Sequence, residues 1–453
     1  MAKLYNQNFA VFGLGKTGLS IINMLINSGA QVYAWDDNNE QIVSAQRMYK
    51  KCNFIHPKEY DWSKISSLIV SPGLHLKSHW IAKLAKCEIK SDIELFLGLL
   101  TEKQKVIGVT GTNGKSTTTS LIGHILKLAG KKVGIGGNLG IPVLSLNIDE
   151  EIYVIELSSF QLELIDKINV DIGVLLNITP DHIERHGNME NYIEVKSKLV
   201  SSCRTAIVEH NIAKMLGDSI ENRIYISGKV LLENGISCIN DNVFDHGNCV
   251  NMRSSRINLI SNTENIAATY AVCKLLKIDH NTIIDGIRSF SGLKYRNELL
   301  GKIKNVLFIN DSKATNAEAS EKALLSYNNI YWIVGGKSKI GGINPLVKHF
   351  TRIKKAFLIG ESTENFASVL SSNNVEFIKC DNLENAFKLA YEEAFYQQEE
   401  ITILLSPACS SFDQWKNFEE RGEAFCKMFE NLRDSTTISY SKAIKKVSIM
   451  ECQ

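Results

Sequence analysis

The stretch Gly108-Val109-Thr110-Gly111-Thr112-Asn113-Gly114-Lys115-Ser116-Thr117 has the residue types and the spacing to hold a nucleoside triphosphate. Glycines let successive backbone N–H groups turn inward around phosphate oxygens, Lys115 reaches the terminal phosphates, and Ser116 is placed to ligate magnesium. The stretch departs from the general pattern G-x-x-x-x-G-K-[ST]: Val109 stands where the first glycine belongs, and Gly108 and Gly111 straddle that position. Such a loop needs a strand before it and a helix after it. Apolar residues 105–107 lead in as a strand, and Leu121, Ile122, Ile125 and Leu126 lead out at helical spacing, with Gly130 as the stop.

A second Gly-rich turn lies nearer the start. Residues 9–12 read as a buried strand, followed by Gly13-Leu14-Gly15-Lys16-Thr17-Gly18, a helix, and a second strand ending in Asp36-Asp37. An acidic residue about 20 positions beyond such glycines commonly holds a ribose hydroxyl. The pattern alone suits a nicotinamide dehydrogenase, but the phosphate loop follows within about a hundred residues and leaves little room for a nicotinamide half. The same physics serves any nucleotide diphosphate, and Ser71-Pro72-Gly73, at the end of the apolar run 68–70, lines the same crevice.

More polar residues fall at strand ends after the phosphate loop. A glycine cluster at 134–140 contains Asn138. The run 152–155 ends on Glu156, followed by Ser158 and Gln161, and the run 173–176 leads into Asn177-Ile178-Thr179-Pro180-Asp181-His182. A carboxylate at a strand tip suits magnesium, although a lone Glu is more often surface and a lone His more often structural. From 205 to 260 short alternating runs with Asn-Gly and His-Gly turns predict antiparallel hairpins, and a helix over 262–276 carries Asn262 and Asn265. Arg296 has a planar fork that suits a phosphate, although a lone Arg also serves as an ordinary surface cation. Strands alternate with helices again beyond it, and their ends carry Asp311-Ser312-Lys313-Ala314-Thr315-Asn316, Gly335-Gly336-Lys337-Ser338-Lys339 and Ser406-Pro407-Ala408-Cys409-Ser410-Ser411-Phe412-Asp413-Gln414.

Length and composition bound the rest. At 453 residues, a prior of about 150 residues per domain gives three domains. A net charge of +2 with interspersed signs offers no footprint for nucleic acid, so small-molecule partners are expected. Ten scattered cysteines without a C-x-x-C pair indicate neither a disulfide framework nor a structural zinc. The polar start and the lack of an apolar run of roughly 20 residues predict a cytoplasmic chain without a membrane segment.

The variant loop G-x-T-G-T-N-G-K-[ST]-T resembles the Mur ligase family, which makes amide bonds with ATP, and the resemblance extends to about Arg433. It implies an α/β fold of three domains. These are an N-terminal Rossmann-like domain (1–92) for a uridine diphosphate substrate, a central P-loop ATPase-type α/β domain with an antiparallel edge (93–294), and a C-terminal Rossmann-like domain (295–434) for the amino acid, with 435–453 as a flexible tail. Asp311-Ser312-Lys313-Ala314-Thr315-Asn316, Ser406-Pro407-Ala408-Cys409 and Asn417-Phe418-Glu419 resemble the branch that adds D-glutamate to UDP-N-acetylmuramoyl-L-alanine in peptidoglycan precursor synthesis.

By this resemblance ATP and Mg2+ are the cofactors. Gly111, Thr112, Asn113, Gly114, Lys115, Ser116, Thr117, Asn262, Asn265, Arg296 and Asp311 bind ATP. Gly13, Leu14, Gly15, Lys16, Thr17, Asp36, Ser71, Pro72, Gly73, Asn138, Ser158 and Gln161 bind the uridine substrate. Lys313, Thr315, Lys339, Ser411 and Phe418 bind D-glutamate. Ser116, Glu156, His182 and a carbamylated Lys196 hold the metal, and Lys115, His182, Lys196 and Arg296 are catalytic; Lys198 makes the Lys196 alignment ambiguous. Two positions depart from the family, Ser261 and Tyr295 standing where it tends to have His. The expected oligomeric state is a monomer. A nicotinamide dehydrogenase and a non-enzymatic ATP-dependent switch are the competing classes.

Overall fold

The computed structural model describes residues 4–138, 140–165, 168–216, 222–252, 262–339 and 341–450. Leu139 of the glycine cluster and Ser261 lie outside these residues. The chain divides into two compact units, the first running to Phe290 and the second beginning at Ser291, a few residues before the border expected at 294/295.

The first unit contains two sheets. The N-terminal sheet is parallel, in the spatial order Gln31–Trp35, Asn8–Phe12, Ile65–Val70, Glu88–Ser91. Its central strand is apolar on both faces, as a parallel strand covered on both sides must be. The helix Lys16–Asn27 packs against it through Gly18, where a Cβ would collide with the Gly13 carbonyl oxygen. The helix Asp92–Leu99 starts on a capping box between Ser91 and Glu94 and buries Ile93, Leu95 and Phe96 in a core shared by Phe9 and Val11 of the first sheet and Val106 and Tyr153 of the second. The border expected at 92/93 therefore coincides with a helix start inside continuous packing.

The central sheet has nine strands, ordered Asn248–Asn251, Asn242–Asp245, Ile236–Ile239, Arg223–Ser227, Thr205–Glu209, Ile172–Leu175, Lys105–Thr110, Ile152–Glu156, Val133–Gly137. The expected run of hairpins is corrected in part. Thr205–Glu209, Arg223–Ser227 and Ile236–Ile239 extend the sheet in parallel, and only the last two strands pair antiparallel. The helix His210–Leu216 supplies a crossover that short alternating runs conceal, and Glu233-Asn234-Gly235 joins parallel neighbours instead of turning a hairpin.

The second unit is a six-stranded sheet ordered Glu298–Ile303, Val306–Asn310, Ile401–Leu405, Ile330–Gly335, Ile353–Ile359, Phe377–Asp381, with only the first pair antiparallel. Trp332 and Ile309 lie in the apolar layer on one face, and Phe308, Phe357 and Phe425 in the layer on the other. The stretch expected as a flexible tail continues a helix: Phe418–Met450 is one element, with Gly422 in its second turn and no Pro in its sequence. Among the described residues no helix is long and apolar enough to cross a membrane.

Candidate active site

The phosphate loop joins Lys105–Thr110 to the helix Lys115–Leu128. Gly114 caps that helix at φ +86°, a left-handed conformation that a side chain would strain. Gly108, read from sequence as flanking the loop, lies inside the strand against Leu199. The turn is held from the neighbouring strand end: Thr112 N–H donates to the Asn177 carbonyl at 2.8 Å, Asn113 N–H donates to Asn177 Oδ1 at 2.7 Å, and Asn177 Nδ2 donates to the Asn113 carbonyl and to Glu264. Thr112 Oγ1 accepts from Thr179 N–H and meets Tyr192 OH at 3.1 Å. Asn265, expected at ATP, lies against the loop, since its Oδ1 occupies the space a Cβ on Gly114 would need. Asn262 accepts from its amide.

Two lysines converge on one carbonyl. Lys115 Nζ donates to the carbonyls of Gly111 at 2.9 Å and Thr112 at 2.8 Å, and Lys196 Nζ donates to Gly111 at 2.8 Å. Lys196 is 1% exposed and also lies over the Tyr192 ring. Burial pulls its ammonium well below the ordinary lysine range; Lys115 pulls the same way, while Asp181 and Glu156 pull back. Lys198 bonds instead to the carbonyls of Ile165 and Leu162 at the end of the helix Ser159–Leu164. Of the two lysines, Lys196 is the one that reaches the loop.

Glu156 ends its strand 2% exposed; Oε1 accepts from Asn138 Nδ2 at 2.8 Å, and Oε2 is buried without a hydrogen-bond partner. His182 caps the short helix Ile183–His186 at φ +54°, uncommon for a residue with a side chain, and its ring stands edge-on to Phe160 at 4.8 Å. Among the described residues no three His, Cys, Asp or Glu side chains group as a metal site. The buried, unpartnered Glu156 oxygen and the Ser116 hydroxyl are the hard oxygens magnesium prefers.

At the N-terminal sheet, Leu14 N–H donates to Asp36 Oδ2 at 2.6 Å, so the acidic residue ties down the glycine turn, and Ser71 Oγ donates to the Gly13 carbonyl. The turns expected to hold a nucleotide diphosphate, with Gly15, Lys16 and Thr17 on one and Pro72 and Gly73 on the other, therefore lie side by side. Ser158 and Gln161 form a capping box at the start of Ser159–Leu164. Sequence reading did not see that structural use.

In the second unit Lys313 Nζ sits 3.8 Å from the Phe418 ring centroid, bringing together two expected D-glutamate residues. A two-way backbone pairing of Lys337 with Ser410 joins the loops that carry Lys339 and Ser411. Thr315 is half-buried beside Asn316, which caps the helix Ala317–Ser326. Asp311 accepts from Asn297 N–H and from Ser406 Oγ at 2.7 Å; burial pushes its carboxyl up to about 7 against those bonds and the charges of Arg296 and Arg421. Arg421, which sequence reading left without a role, is 1% exposed and bonds Ser312 Oγ, the Ser312 carbonyl and the Cys409 carbonyl. Its sequence signal was the pair Arg421-Gly422, which with Asn417-Phe418-Glu419 resembles the branch that adds D-glutamate.

A model of the Mur ligase middle domain matches residues 109–236, and one of the Mur ligase MurD-like N-terminal domain matches residues 7–91. The chain is 59% identical to a UDP-N-acetylmuramoylalanine--D-glutamate ligase of Wolbachia pipientis wMel, over 96% of this chain and 98% of that one. It is 41% identical to a ligase of the same name from Rickettsia bellii, over 94% and 98%. Among solved structures, a UDP-N-acetylmuramate-alanine ligase from Thermotoga maritima aligns with a TM-score of 0.60 at 18% identity, covering 94% of this chain and 99% of that one. FolC from E. coli in complex with ADP aligns at 0.55, with 18% identity over 76% and 93%. The two structures share the fold, and the sequence relatives carry the closer kinship: the chain belongs to the Mur ligase family.

Proposed function

We infer that this chain joins D-glutamate to UDP-N-acetylmuramoyl-L-alanine, converting ATP to ADP and phosphate, in peptidoglycan precursor synthesis. The near-full-length relatives of that name support the reaction, and the observation that carries the site is the convergence of Lys115 and Lys196 on the Gly111 carbonyl beside the buried Glu156. A carboxylate is a poor electrophile. Its oxygen attacks the γ-phosphorus of ATP, ADP leaves, and the resulting acyl phosphate is attacked by the amine of D-glutamate, so that phosphate departs carrying one former carboxylate oxygen.

Lys115 holds positive charge at the transferring phosphoryl, and the loop N–H groups position it. Ser116, Glu156, His182 and Lys196 would hold Mg2+, which when bound neutralises phosphate charge. A bare ammonium at Lys196 repels that ion, whereas the amine, whose neutral form burial favours, adds CO2 with release of a proton to become an anionic carbamate with suitable oxygens. Asn262, Asn265, Arg296 and Asp311 complete the nucleotide contacts. Lys313, Thr315, Lys339, Ser411 and Phe418 take D-glutamate, an ammonium such as Lys339 pairing with one of its two carboxylates. The chain acts as a monomer in the cytoplasm.

Phosphate release measured with ATP, Mg2+, UDP-N-acetylmuramoyl-L-alanine and D-glutamate, omitting each in turn, tests this reading. Release should need all four. Equal release without either acceptor substrate favours the switch, and reduction of NAD favours the dehydrogenase.

A further inference from the structure

Arg185 has no part in the reaction as described, yet three elements that do have a part meet at its guanidinium. Nε and Nη2 bond Glu163 Oε2 at 2.9 and 2.8 Å, Nη2 donates to the Leu74 carbonyl at 2.9 Å, and Nη1 donates to the Gly73 carbonyl at 3.3 Å. The guanidinium also lies 4.5 Å from the centroid of Phe160, the ring that packs against His182. Glu163 belongs to the helix that Ser158 and Gln161 cap, and its other oxygen faces His75 Nε2 at 3.9 Å. Both partners of the ion pair are mostly buried, with side chains 12% and 10% exposed. A planar fork can satisfy a carboxylate and two carbonyls while stacking on a ring; a lysine, as a point charge, cannot.

We propose that Arg185 is a positioning residue that couples the Ser71-Pro72-Gly73 turn to the His182 loop, so that binding of the uridine diphosphate substrate and binding of Mg2+ support each other. The inference rests on the functional reading above. One guanidinium bonds the turn on the substrate side and stacks on the ring that backs the metal-side histidine. Ordering either end lowers the conformational cost of ordering the other. Such coupling is reciprocal and typically amounts to fivefold or more in affinity.

The test is calorimetric titration of the full-length chain with UDP-N-acetylmuramoyl-L-alanine, with and without Mg2+ and a non-hydrolysable ATP analogue, for the unsubstituted protein and for Arg185→Gln, Arg185→Lys and Glu163→Gln. In the unsubstituted protein Mg2+ with the analogue should tighten substrate binding roughly fivefold or more. That ratio should fall to about one in Arg185→Gln and stay near one in Arg185→Lys, while Glu163→Gln, which keeps the carbonyl bonds, should retain an intermediate ratio. In phosphate release the same Arg185→Gln should raise KM for the uridine substrate roughly tenfold and leave KM for D-glutamate unchanged. An unchanged ratio in Arg185→Gln overturns the coupling alone, as does a lowered Tm with both binding constants intact, since a purely structural clasp predicts that pattern. No substrate binding by the unsubstituted protein overturns the functional reading and the coupling with it.

Discussion

The carboxyl ends of the central and C-terminal sheets are both lined with polar residues, but they are wired differently. At the central sheet the cations fold back onto main-chain carbonyls, Lys115 onto Gly111 and Thr112 and Lys196 onto Gly111, while a carboxylate oxygen of Glu156 stays buried without a partner. At the C-terminal sheet side chains brace one another or the backbone. Ser406 links Asp311 to Ser320, Arg421 ties Ser312 to Cys409, and Ser362 Oγ donates to the Gly336 carbonyl. Under the proposed function, the first arrangement keeps charge ready for anions and a cation that arrive with substrate, and the second is a frame whose loops are fixed beforehand, as recognition of one amino acid by shape and charge requires.

Replacing the phosphate-loop lysine tests the contrast most severely. Lys115→Ala should lower kcat by about 10³-fold or more with Tm nearly unchanged, because a half-buried cation at the transferring group contributes to the transition state and little to packing. Next comes the pair of neighbouring lysines. Lys196→Ala should lose about 10²-fold in phosphate release, with partial recovery on adding short carboxylates, while Lys198→Ala should stay within about threefold because its ammonium serves helix carbonyls elsewhere. Full activity in Lys196→Ala would end the carbamate proposal. On the recognition side, Lys339→Ala should raise KM for D-glutamate by about tenfold or more and leave KM for the uridine substrate within about twofold. A matching loss for both substrates would mean that the two regions do not divide the work.

The last expected effect lies outside both regions. Asp92 is fully buried, neither carboxylate oxygen has a hydrogen-bond partner, and burial pushes its carboxyl up to about 7. Between the unfolded value near 3.9 and about 7 the native state binds more protons than the unfolded state, so stability falls as pH rises through that window and levels off above it. Asp92→Asn should flatten that slope in denaturant titrations and gain about 1–3 kcal/mol at pH 7.5, with kinetic constants unchanged. It serves as the control in which a buried charge matters to folding and not to catalysis.

What the sequence disclosed follows from the range of the interactions. The phosphate loop, the glycine turn at Gly13 and the strand-tip Glu156 were legible because strand, turn and helix succeed one another locally, and the local order dictates where their ends point. The parallel extension from Thr205 to Ile239 was not, since pairing direction depends on a crossover helix that a period-two pattern cannot reveal. Asn177 as the brace of the loop, Arg421 as the tie between Ser312 and Cys409, and Arg185 as a clasp were hidden for the same reason. Each has a partner far along the chain, 64, 109 and 111–112 residues away. Ser158 and Gln161 show the reverse case: their spacing was visible, and its local meaning is a capping box.

The account's central claim is that the central sheet transfers a phosphoryl group to a carboxylate before the amine is joined. Turnover of UDP-N-acetylmuramoyl-L-alanine labelled with 18O in both carboxylate oxygens, followed by mass analysis of the released phosphate, tests it directly. One labelled oxygen in each phosphate, with the other retained in the new amide, is the predicted result. Phosphate free of label, with product still formed, would contradict it.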